Sequence, residues 1–131
     1  MKIVNQQDAM DCGPACLAMV AGYYGQQIDR EYLRVTCALG KEGVSLLGIS
    51  RTAEKIGFKA IGIRLIFETL SEEVPLPCIV HWNQNHFVVV YKIKKHRKGK
   101  YTIHIADPGK GLVTYTKEEF CEHWISTQTI G

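Results

Sequence analysis

The sequence predicts an α+β domain, with a helical N-terminal half packed on a mostly antiparallel sheet from the C-terminal half. Two observations predict it. Apolar residues at helical spacing, bounded by capping residues, fill the first half. Short β-branched runs separated by turn residues fill the second. The chain has 131 residues, 46% hydrophobic and 22% charged, which fits one ordinary globular domain with a core that needs no metal or disulfide staple. No repeat or low-complexity linker divides it, so residues 1–131 are read as a single domain.

The first helix opens at Asp11-Cys12-Gly13-Pro14, because proline is tolerated in a helix only in its first turn. Ala15 to Tyr24 is apolar nearly all round, so this helix should be buried on most sides, and Gly25 suits its C-terminus. Asp29 caps a second helix over residues 30–36, and Ser45 a third that aligns Leu46, Ile49, Ala53 and Ile56 and stops at Gly57. A strand is expected over 58–64 and a short helical turn over 67–70. Val74-Pro75-Leu76-Pro77 is extended and cannot be a central strand. Strands follow at 78–82 and 86–93 across the turn Asn83-Gln84-Asn85, then at 101–106 and 112–115. Thr116 and Glu119 form a capping-box pattern for a last helix carrying Phe120 and Trp124.

The net charge of +3 is too mild to imply nucleic acid. The basic tract Lys92 to Lys100 has no interleaved aromatic residue and reads as a solvated hairpin tip, or as a face toward a membrane or neighbouring domain if the protein is tethered. No run approaches the roughly 18 apolar residues of a membrane span, and the N-terminus lacks an apolar signal-peptide core. Five irregularly spaced cysteines then read as free thiols of a reducing compartment.

Cys12 stands out by position. A helix N-terminus favours a thiolate through its dipole and free N–H groups, whereas the neighbouring Asp11 opposes one, so a cationic partner is needed. Position alone leaves a buried inert thiol open as well. Cys16 lies one turn on, on the same face. The pair could begin a zinc site with His81 and His86, but the spacing matches no metal motif, and no metal or cofactor is expected. Cys16, Cys37, Cys78 and Cys121 read as core.

Among the histidines, His86 has the best address for a base, between a polar turn and the buried run Phe87-Val88-Val89-Val90. His81 and His104 sit inside strands as satisfied structural residues, His96 is solvated, and His123 lies in the last helix. Asp107, at a strand end before Pro108-Gly109, can orient His86, with Asn83 and Asn85 as alternatives. The N–H of Cys12 and a side-chain amide from Gln6 or Gln7 can serve a developing oxyanion.

These residues carry a resemblance. Gln6, followed after four residues by Asp11-Cys12-Gly13-Pro14-Ala15-Cys16, resembles the N-terminal motif of the bacteriocin-processing peptidase domains of ABC transporters. His86-Phe87-Val88-Val89-Val90 and Ile105-Ala106-Asp107-Pro108 match its second half in the right order. The resemblance implies a papain-like cysteine peptidase with Cys12 as nucleophile, His86 as general base and acid, Asp107 orienting His86, and Gln6 rather than Gln7 completing the oxyanion hole. It implies a substrate whose amphipathic helical leader ends in Gly-Gly, Gly-Ala or Gly-Ser. It also implies transmembrane and ATPase domains in the same transporter, a place on the cytoplasmic face of a bacterial membrane, and excision of residues 1–131 from a longer chain, with a free-standing processing peptidase as the alternative. The isolated domain is expected to be a monomer. Tyr23, Tyr24 and Trp82 are candidates for the leader groove, against a core reading of each. A non-catalytic leader-binding module and another Cys-His-Asp acyl-transfer enzyme, such as an acyltransferase or cell-wall amidase, stay open beside the peptidase.

Overall fold

The computed structural model describes residues 1–5, 12–38, 46–58, 62–63, 66–83 and 86–130. Three helices come first: α1 (Cys12–Tyr23), α2 (Arg30–Ala38) and α3 (Leu46–Lys55). After them come β1 (Gly62–Ile63), α4 (Phe67–Glu73), β2 (Cys78–Trp82), β3 (His86–Lys95), β4 (Tyr101–Asp107), β5 (Gly111–Thr116), α5 (Lys117–His123) and β6 (Trp124–Ile130). The strands form one sheet in the order β1-β6-β2-β3-β4-β5, and every registered pair in it is antiparallel.

Both faces of the sheet are covered. On one face α1, α2 and α3 pack through Cys16, Leu17, Met19, Leu33, Cys37, Ile49 and Ala53 against Ile79, Phe87, Val89 and Ala106. On the other, Phe67 and Leu70 of α4 and Phe120 of α5 pack against Cys78, Val80, Trp82, Val88, Val90, Ile103 and Ile105. Alternate residues of β2 and β3 therefore feed opposite cores, which is why β2 is buried along its whole length.

Local signals explain most boundaries. Asp29 accepts from the N–H of Glu31 at 3.3 Å and starts α2. Gly25 and Gly57, just past the ends of α1 and α3, hold φ of 82° and 96°, the left-handed conformation that suits glycine. Thr116 and Glu119 form the expected capping box on α5. Ser45 and Asp11 fall outside the described residues.

Three expectations are corrected. The strand expected at 58–64 appears, among the described residues, only as Gly62–Ile63, while Phe58 lies outside it and packs on the helical core. The turn at 67–70 extends to Glu73. Trp124 does not continue the last helix: α5 ends at His123, and Trp124 opens β6, which inserts between β1 and β2.

Candidate active site

The N-terminus of α1 and the first residues of β3 meet over the first core. Cys12 is 3% exposed and belongs to that core with Phe87 and Val89. Two further contacts define the geometry. Nε2 of His86 lies 2.7 Å from Oδ1 of Asp107, at the end of β4. The same Oδ1 accepts the backbone N–H of Gly109 at 2.8 Å. With Nε2 engaged by the carboxylate, Nδ1 is the ring nitrogen left for the thiol of Cys12, with which His86 hydrogen-bonds.

Charge follows this geometry. Burial opposes an imidazolium at His86, but the hydrogen bonds to Asp107 and Cys12 and the charges of both outweigh it and hold His86 up at about 9. Burial likewise opposes the Asp107 carboxylate, and the bonds from His86 and Gly109 with the charges of His86 and Lys110 overcome it, so the carboxyl is held below its ordinary value. His86 thus favours the imidazolium at neutral pH, held between the buried Asp107 carboxylate and the buried Cys12 sulfur.

Sequence reasoning overlooked Gly109. Its signal was the Asp107-Pro108-Gly109 turn itself, because an aspartate side chain readily bonds the backbone two residues on. Asn83, an alternative to Asp107, instead holds Nδ1 of His123 at 2.7 Å. Gln6, Gln7 and Asn85 lie outside the described residues.

The remaining candidates sort by burial. His81 stacks on Phe87 with ring centroids 5.0 Å apart. His96 is exposed and pairs with Thr102 Oγ1 at 2.8 Å. His104 was expected to be satisfied, but its buried Nε2 has no hydrogen-bond partner among the described residues. Cys16, Cys37 and Cys78 are buried as expected, whereas Cys121 is exposed because α5 turns that side outward. Trp82 is a core residue stacked on His123, while Tyr23 and Tyr24 are 57% and 51% exposed, against the core reading of both. No cluster of His, Cys, Asp or Glu among the described residues could hold a metal ion.

Residues 1–129 match the Peptidase C39 family. The chain belongs to that family. Among relatives of this peptidase C39 chain is the lactococcin-G-processing and transport ATP-binding protein LagD of Lactococcus lactis subsp. lactis. It is 41% identical over 128 residues, covering 94% of this chain and 18% of the relative. The colicin V secretion/processing ATP-binding protein CvaB of Escherichia coli is 35% identical over 122 residues, or 93% and 17% of the two chains. The chain thus spans less than a fifth of these relatives' length. A double glycine motif protease from an AMS/PCAT transporter, solved in complex with the leader peptide, superposes with a TM-score of 0.86 at 36% identity, covering 98% of this chain and 87% of that one. The peptidase domain of Streptococcus ComA, a bi-functional ABC transporter, gives 0.80 at 33% identity, with coverage of 99% and 96%. The expected α+β, papain-like fold and the cysteine peptidase class are therefore both borne out for this C39 domain.

Proposed function

We propose that this chain is the peptidase portion of a bacteriocin-type ABC transporter, and that it cuts a leader peptide after a double-glycine site on the cytoplasmic face of the membrane. The observation that carries the reading is His86 hydrogen-bonded between Asp107, at 2.7 Å, and Cys12. Processing and transport proteins among the relatives, and a leader peptide bound to a similar protease, support the substrate class and the longer parent chain.

In this reading the Cys12 thiolate attacks the carbonyl carbon of the second of the two small residues, forming the C–S bond and a tetrahedral oxyanion. The N–H of Cys12 and the side-chain amide of Gln6 donate to that oxyanion. His86 gives its proton to the leaving amine as the C–N bond breaks, leaving a thioester on Cys12. Neutral His86 then takes a proton from water as the water attacks the thioester, and the C–S bond breaks, which releases the leader acid and restores the thiolate–imidazolium pair. Asp107 holds Nε2 throughout, so that Nδ1 always faces the sulfur.

The test is incubation of the chain with a synthetic double-glycine leader–cargo peptide, read by mass spectrometry. The wild type yields one cut after the glycine pair, and Cys12→Ala yields none while still binding the peptide. Binding without cleavage by both proteins would instead mean a leader-binding module.

A further inference from the structure

We infer that Cys16 is a positioning residue: its thiol, bonded to the backbone carbonyl of Phe87, sets how far the helix carrying Cys12 stands from the strand carrying His86. The inference rests on the reading of Cys12 and His86 as the reacting pair. Cys16 Sγ donates to Phe87 O at 3.3 Å, from a side chain with no exposed surface. Cys16 lies one helical turn from Cys12 on the same face of α1, and Phe87 directly follows His86 on β3. The contact thus joins the two elements one step behind the atoms that react.

Two comparisons separate this thiol from mere filling. Burial, reinforced by the charges of Cys12, Asp107 and Cys37, pushes the Cys16 thiol well above its ordinary value, so it keeps its proton and stays a donor. Cys78 is equally buried in the other core and is raised to about 12 by burial alone, with no hydrogen bond at its thiol among the described residues. Phe87 also precedes the β3–β4 ladder, whose first registered pair is Val89 with Ala106, so this stretch of β3 is not yet held by β4. On its other side this stretch is paired with β2, His81 opposite Phe87 and Trp82 opposite His86, and Cys16 adds the polar tie to the helix.

The experiment measures iodoacetamide alkylation of Cys12, resolved by mass spectrometry, against pH in the wild type, Cys16→Ala, Cys16→Ser and Cys78→Ala, with kcat and KM for a double-glycine leader peptide in parallel. Cys16→Ala is expected to slow Cys12 alkylation at neutral pH about tenfold and lower kcat similarly with KM held within about twofold, since small misplacements of reacting atoms cost rate. Cys16→Ser restores the donor and most of both rates. Cys78→Ala lowers the melting temperature but leaves the alkylation profile in place. Equal profiles for Cys16→Ala and Cys78→Ala, or no rescue by serine, overturn the inference. If Cys16→Ala does not fold, Cys16→Ser is compared with Cys16→Val, and equal alkylation rates overturn it. A wild type that fails to cut the leader counts against the proposed function, while the alkylation contrast still tests Cys16.

Discussion

The two faces of the sheet are built from different side chains. The face under α1, α2 and α3 is lined mostly by thiols and small or aliphatic groups, among them Cys12, Cys16, Cys37, Val20, Ala53 and Ala106, with Phe87 as its buried ring. The face under α4 and α5 is lined by rings, with Phe67, Trp82, Phe120 and Trp124 buried and Tyr101 and Tyr115 packed at the margin. Phe120 contacts Phe67, Trp82 and Trp124 at centroid separations of 6.0, 5.5 and 5.3 Å. Small side chains let α1 approach β3 closely enough for a thiol to reach a strand carbonyl. Large rings bury more apolar area per residue and make a firm backing for the same strands. One face positions chemistry and the other supplies stability.

Substitutions on each face should separate these duties. The largest effect is Cys12→Ala, expected to lower leader cleavage by at least about 10³-fold, with the melting temperature nearly unchanged. A matching loss of stability would blur the division. Phe120→Ala on the opposite face should cost about 3–5 kcal/mol in a denaturant titration, because it opens a large cavity, while the folded fraction keeps its cleavage rate.

The pH dependence comes next in size. His86 is raised from 6.5 to about 9, so the stability it contributes is complete below about pH 6.5 and is lost as pH rises through about 9. Asp107 is lowered, so its contribution is present above its ordinary carboxyl range and is lost only in acid. Denaturation measured from pH 6 to 10 should show falling stability, and the cleavage rate should show an alkaline limb near pH 9. In Asp107→Ala both should move toward neutrality; an unmoved limb would mean that Asp107 does not hold the imidazolium. Smallest is Thr116→Ala, which removes the cap of α5 and should cost about 1 kcal/mol in a melt with no change in cleavage pH profile.

The sequence was most legible where local chemistry decides structure. Pro14, Asp29, Gly57 and the Thr116–Glu119 pair all sit at or beside helix ends as their types require. The site was legible for a related reason: His86 and Asp107 mark strand ends, and antiparallel neighbours bring those ends together. What stayed hidden depends on partners distant in the chain. Trp124-Ile125-Ser126-Thr127-Gln128 carries no strand signal stronger than a helix tail, and only the open place between β1 and β2 makes it a strand. The β-bulge between Val90 and Lys92 was equally invisible. It puts Ile93 in the aromatic core with Val88 and Val90, and leaves Tyr91 against the helical one. The tie from Cys16 to Phe87 could not be read either, because residue types do not show where a backbone carbonyl points.

The β3–β4 hairpin has an electrical consequence. Lys92, Lys94, Lys95, Arg97, Lys98 and Lys100 place six positive charges in its tip, against a net of +3 for the whole chain, which leaves the remainder at −3. No carboxylate of a described residue pairs with them. His86 sits at the opposite end of the same ten-residue strand, about 30 Å away at the usual rise. The densest positive charge of the domain is therefore remote from its reactive end. On a polyanionic bead at low salt it should adsorb tip first, with the His86 end outward.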